Sequence, residues 1–370
     1  MLNFFTSFFK KIESLVKRLL KIRTSKSRPS KISRGRGAPK SKKNKHRGQP
    51  KKPKRGSLKK SKPRGSRPDE NITLGQWVVT YETIISERGY KDQTIRNRKT
   101  CLSHVKRLWG QKPLRELKSY EVVASIRREF LPDRSSTAHR VLSELRDVYI
   151  EAIANGEAEM SPAMFCKLPI HHVLRQRLSW ETFYKMVEVA ETHPQKWVKC
   201  LLLLAIITGQ RRADLAKMRF TDVVDLPNGL GKHLRVEQQK QAGKGYGARV
   251  EIPLTLRLDK IGLTVGDVIT LCKTCGKPGP TLLRKQGGGP IEVSSLSTRF
   301  AEVLKGVLGV NTPAVNVRPT LHEARSLAAR LYNDQGIDVQ TLLGHKHAEM
   351  TEMYLDDRGS SGHEWKRLSV

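Results

Sequence analysis

Three short boxes in this chain collect side chains suited to chemistry at a charged, oxygen-rich centre. His322-Glu-Ala-Arg325 sets an imidazole and a guanidinium three residues apart, on one face of a helix. Leu342-Leu-Gly-His345 places a second imidazole behind a glycine that reads as a helix C-cap, and Tyr354 follows nine residues later. Upstream, Thr208-Gly-Gln-Arg211-Arg-Ala-Asp214 carries adjacent guanidiniums, with Asp214 one turn on from Arg211 and able to orient it. A guanidinium stays charged and forks two bonds onto neighbouring oxygens, where an ammonium acts as a point charge. Imidazole titrates near neutrality and serves as acceptor or donor. A phenol is only about 0.1% ionised at pH 7, so as a nucleophile it needs a base and cations beside it. The set fits transfer chemistry at a phosphate. Each member also has an ordinary alternative. In a chain with 70 basic residues an arginine is usually a surface partner, a lone histidine is usually structural, and Tyr354 is one of eight tyrosines. Tyr332, in the LAARLY run with Leu327 and Leu331, reads as packing.

The bulk properties narrow the partner. A net charge of +35 and a pI near 10.3 call for a polyanion, nucleic acid first and an anionic membrane second. Five cysteines are an odd number spread through a long chain, which suggests no disulfide framework and a reducing, cytoplasmic setting. Cys272-Lys-Thr-Cys275 is a lone CxxC before Gly276, Pro278 and Gly279, so it reads as a turn, and no metal is expected. The longest apolar run, residues 201–207 (LLLLAII), is too short to span a bilayer and reads as a buried core helix.

These boxes need elements to position them. Residues 1–22 alternate Phe5, Phe9, Ile12, Val16, Leu19 and Leu20 with Lys10, Lys11, Lys17 and Arg18, the pattern of an amphipathic helix that docks on a protein or an anionic membrane, or packs on its own chain. Residues 23–70 form a basic arm whose composition cannot offset the entropy of ordering; 21 Lys and Arg and no acid fall within 21–67. Such an arm binds phosphates without reading bases, or is a solvated linker. Residues 71–168 read as a helical domain, with helices at 73–87, 92–109 and 137–153. The second interleaves Ile95, Leu102, Val105 and Leu108 with Arg96, Arg98, Lys99, Lys106 and Arg107, either a DNA-facing stripe or a solvated surface. Residues 169–178 read as a linker. Residues 179–370 hold helices at 180–191, 196–207, 213–218, 294–308 and 322–335, and a hairpin pairing Leu234 and Val236 with Val250 and Ile252. The expected class is mainly α with a small antiparallel β-sheet.

TGQRRADL, HEAR, LLGH and the terminal tyrosine together resemble the tyrosine recombinases, and specifically the integrases of lambdoid phages, over roughly residues 70–370. The resemblance implies a site-specific DNA recombinase that cleaves DNA through Tyr354, leaving a 3′-phosphotyrosine and a free 5′ hydroxyl. One phosphodiester replaces another, so neither ATP, metal nor other cofactor is implied. It makes Arg211, rather than Arg212, and Arg325 the phosphate-binding arginines. His322 becomes the general base and His345 a phosphate ligand. Lys240, in the hairpin turn that also holds Lys244, becomes the acid for the leaving oxygen. It casts residues 71–168 as a core-type DNA-binding domain and residues 363–370 as a strand for a neighbouring protomer. Double-stranded attachment sites, a homotetramer, a host DNA-bending protein and an excisionase are the implied partners. At the front the chain departs from that family, whose small folded arm-binding domain is replaced here by residues 1–70. A non-catalytic DNA-binding descendant, or a resolvase or type IB topoisomerase sharing this chemistry, are the alternatives.

Overall fold

A computed structural model describes residues 71–167, 173–239 and 247–358. The helix expected at 1–22, the arm at 23–70, Lys240, Lys244 and the strand at 363–370 lie outside the described residues. The described chain forms two units, passing from one to the other between Val173 and Leu174. Its elements are mainly helices with small antiparallel sheets.

The first unit has four helices: α1 (Leu74–Glu87), α2 (Asp92–Trp109), α3 (Ser119–Phe130) and α4 (Ser135–Ala154). Thr73 starts α1 with a capping box, its hydroxyl accepting from the Gln76 amide at 3.2 Å while the Gln76 side chain accepts from the Thr73 amide at 2.8 Å. Apolar residues at helical spacing then close one core, with Trp77 and Tyr81 of α1, Leu102 and Val105 of α2, and Leu145 and Tyr149 of α4 all buried. Helix α3 was not expected; its buried stripe is only Val122, Ile126 and Phe130, too short to stand out as a period. The basic face of α2 divides. Arg98, expected on the DNA-facing stripe, turns inward to Glu144 at 3.0 Å and Asp147 at 2.7 Å, and donates to the Tyr81 hydroxyl. The buried Glu144 carboxylate captures it, and helical spacing alone does not reveal that carboxylate. Lys106 pairs with Glu82 and Arg107 with Glu129 at the surface, while Arg96 and Lys99 are exposed. Exposed pairs of this sort are worth at most about 1 kcal/mol, so a phosphate can displace them.

The second unit is built around α6 (Trp197–Thr208), in which every side chain but that of Lys199 is buried, as its apolar run requires. Before it lies α5 (Trp180–Glu191), capped by the Ser179 hydroxyl on the Thr182 amide. After it come the short α7 (Arg212–Lys217) and a three-stranded antiparallel sheet, β1 (Val223–Leu226), β2 (Gly231–Glu237) and β3 (Arg249–Pro253), in that order. Leu234 faces Ile252 and Val236 faces Val250, the expected alternation turned into the core. A second hairpin, β4 (Arg257–Leu258) and β5 (Leu263–Thr264), leads into α8 (Val265–Lys273). Then follow α9 (Val293–Leu308), α10 (Leu321–Asp334), α11 (Val339–Leu343) and α12 (Ala348–Leu355). Helices α8 and α10 pack on α6. Tyr332 is indeed packing: buried on α10, it donates to the Ile207 carbonyl at 2.8 Å.

One expectation changes here. Cys272 ends α8 rather than lying in a turn, and the buried Arg284 caps that helix, donating to the carbonyls of Cys272, Lys273 and Lys277 at 2.8 Å each. Cys275 lies against Cys200 of α6, a neighbour the sequence did not lead one to expect. The two are 75 residues apart, and only the packing of α8 on α6 brings them together. Among the described residues no helix is long and apolar enough to cross a membrane.

Helix α6 ends because Gly209 takes φ +62°, which frees the chain to swing Arg211 toward α10. A Cβ there would also lie 3.0 Å from the Leu343 side chain. Gly209→Ala is therefore expected to lower the unfolding free energy by about 1–2 kcal/mol, read from the denaturant midpoint.

Candidate active site

Arg325, in the second turn of α10, is the buried centre of the site, 1% exposed. One Nη donates to the Gly209 carbonyl at 2.7 Å, where α6 stops, and the other to the Leu343 carbonyl at 2.6 Å, where α11 stops. That second nitrogen also lies 3.0 Å from His345 Nε2. A guanidinium only donates, so His345 Nε2 accepts, and its Nδ1–H is left to donate to the Thr351 hydroxyl at 3.0 Å. Burial, then the charges of Arg325, Arg211 and His322, hold the His345 ring down to about 4. His345 is thus a neutral support for Arg325 in this state. Burial, and then the charge of Arg211, also lowers Arg325, to about 10, where it remains a cation at neutral pH.

Arg211 stands at the N-cap of α7 and donates to the Gln238 side chain. Gln238 is a residue the motifs did not flag. It is buried at the end of β2, and its amide nitrogen donates to the Gln210 side chain and the Leu343 carbonyl, both at 2.8 Å. Gly344, at φ +64°, leaves the room this needs, since a Cβ would sit 2.8 Å from that nitrogen. Arg212 points elsewhere, to Ser297 of α9 at 2.9 Å. Asp214 does not hold Arg211 by an ion pair. Its Oδ1 accepts from the Gln239 amide at 2.8 Å, fixing the strand end just before Lys240, because the start of α7 faces β2. Burial raises its carboxyl, against the pull of that amide and of Arg211.

Tyr354 lies over this group. Its hydroxyl is 3.0 Å from His322 Nε2, its ring 5.0 Å from the His345 ring, and the Arg325 Cζ 5.4 Å from its centroid. So Arg211, His322, Arg325, His345 and Tyr354 share one pocket, gathered from α7, α10, the α11–α12 turn and α12. A phenol beside a base and two fixed cations can attack a phosphorus whose oxygens those cations hold. Among the described residues no cluster of three or more His, Cys, Asp or Glu side chains could hold a metal ion.

The depressed His345 ring has a sign in stability. A histidine lowered from 6.5 to about 4 stabilises the fold fully above 6.5, and this contribution is lost as pH falls through 4. The thermal midpoint should therefore drop between pH 7 and pH 4, and His345→Gln should flatten that part of the profile while lowering the midpoint at pH 7.

The model of the phage integrase family matches residues 173–360. The integrase of Escherichia phage HK022 is 32% identical over 303 residues, 81% of this chain and 79% of that protein. The structure of a lambda integrase dimer bound to a COC′ core site superposes with a TM-score of 0.73 at 30% identity, covering 82% of this chain and 81% of that one. That of a lambda integrase tetramer bound to a Holliday junction gives 0.72 at 30% identity, covering 82% of each. The chain belongs to the phage integrase family.

Proposed function

We propose that the pocket around Arg325 is where this tyrosine recombinase cuts and rejoins DNA. The Tyr354 oxygen attacks the phosphorus of a backbone phosphodiester and gives up its proton to His322. Arg211 and Arg325 meet the charge that builds on the non-bridging oxygens. Lys240 gives a proton to the departing 5′ oxygen, and a 3′-phosphotyrosyl bond remains. Attack by a 5′ hydroxyl of the partner strand reverses each step, so the energy of one phosphodiester is kept in the next. The observation that carries this reading is the 3.0 Å contact of the Tyr354 hydroxyl with His322 Nε2 above the Arg325 guanidinium. Lambda integrase binds a COC′ core site as a dimer and a Holliday junction as a tetramer. By analogy this chain joins two double-stranded attachment sites as a tetramer, inserting and excising phage DNA. Arg96, Lys99, Lys106 and Arg107 offer cations to the duplex backbone, and the 21 basic residues within 21–67 add a salt-sensitive, sequence-independent hold. A host DNA-bending protein and an excisionase are the proposed accessory partners.

A nicked suicide duplex tests it, using a core site selected by covalent capture from a random duplex library. The native chain should form a covalent complex, and Tyr354→Phe should form none. Arg211→Ala or Arg325→Ala should slow its formation by about 100- to 1,000-fold. Strand transfer between two selected sites marks recombination; relaxation of supercoils without transfer marks a topoisomerase; binding without any covalent complex marks a non-catalytic protein.

A further inference from the structure

The helix that carries Tyr354 is held from outside at its C-terminal end. An α-helix leaves its last carbonyls without internal partners, and α12 has only eight residues. Two of these carbonyls and one just beyond are met by side chains. Ser326 of α10 donates to the Tyr354 carbonyl at 2.7 Å. Arg177 donates through Nε to the Asp356 carbonyl at 2.7 Å and through Nη2 to that of Met353. Its remaining arm, Nη1, pairs with Glu323 Oε2 at 2.9 Å. Glu323 lies between His322 and Arg325 on α10, and the two paired side chains are 4% and 3% exposed. Arg358 closes the network, 3.5 Å from the other Glu323 oxygen and 2.7 Å from the Arg175 carbonyl.

A buried ion pair seldom adds net stability, because desolvation offsets the attraction. This one spends all three arms of a guanidinium, two on the backbone either side of Tyr354 and one on the helix that presents His322 and Arg325. A lysine could not reach all three. We propose that Arg177 is a positioning residue for strand cleavage, with Ser326 as its second anchor. Arg177 fixes the height and rotation of the Tyr354 segment relative to α10, and so brings the phenol into line over the phosphate. It lies in the short stretch that enters the second unit just after Val173, so strain on that stretch would reach the phenol directly. The inference rests on Tyr354 being the nucleophile.

The test uses Arg177→Met, Arg177→Lys and Ser326→Ala in the full chain, with three measurements. These are the single-turnover rate of covalent complex formation at saturating enzyme, the Kd for intact core duplex in a Tyr354→Phe background, and hydrogen exchange by segment. Misplacing a reacting group by about 1 Å costs about 100-fold. Arg177→Met should lose rate on that scale with Kd within about threefold, and exchange should quicken at residues 348–358 alone. Arg177→Lys should recover only part of the rate, and Ser326→Ala should lose about tenfold. An unchanged rate overturns the proposal, as does a loss that tracks Kd with exchange quickened throughout α6 and α10. If Arg177→Met does not fold, Ser326→Ala decides, since it leaves the ion pair intact. Covalent complex persisting in Tyr354→Phe would instead refute the nucleophile and leave the anchoring untouched.

Discussion

One buried guanidinium organises the catalytic unit. Arg325 is held by the carbonyls of Gly209 and Leu343 and by the neutral ring of His345, so three chain segments must end at one point. Two of those ends are glycine turns with positive φ, at Gly209 and Gly344. Desolvating a cation this fully is expensive, and the carbonyl dipoles offset part of the cost while leaving the charge in place. The result is a donor already aimed before substrate arrives, which is the condition under which electrostatic stabilisation of a transition state is most effective.

The residues around it follow from that requirement. Arg211 cannot lie free beside another cation, and the buried Gln238 takes its nitrogen while tying β2 to the α11 turn. His345 gives up its charge so that two arginines can stand near it. Tyr354 then covers the cluster with a ring that faces a guanidinium and a hydroxyl that reaches His322. Beyond the packing of its own eight residues, the helix bearing that ring is held by partners on α10 and at the entry to the unit.

Much of this was legible in the chain alone. TGQRRADL and HEAR marked both arginines, and helical spacing put His322 and Arg325 on one face. The all-apolar stretch at 201–207 announced the central helix, and Leu234 and Val236 announced the inward face of the hairpin. What stayed hidden depends on tertiary neighbours. Gln238 and Ser326 are ordinary polar residues until the fold sets them against a guanidinium and a carbonyl. Arg177 looked like part of a linker, and nothing in its spacing points to Glu323, 146 residues away. Arg98 sat in a basic stripe by period, yet Glu144 draws it inside. Asp214 occupied the right turn to face Arg211, but a strand amide claims its carboxylate.

The central claim is that fixed positive charge in this pocket meets negative charge on the scissile phosphate. It is tested most directly by replacing that phosphate with an uncharged methylphosphonate and measuring the cost of Arg325→Ala on both substrates. On ordinary DNA the substitution should slow cleavage by about 100-fold or more, and on the neutral linkage the penalty should shrink to a few-fold. A penalty of equal size on both would show that Arg325 does not act on the charge of the phosphate.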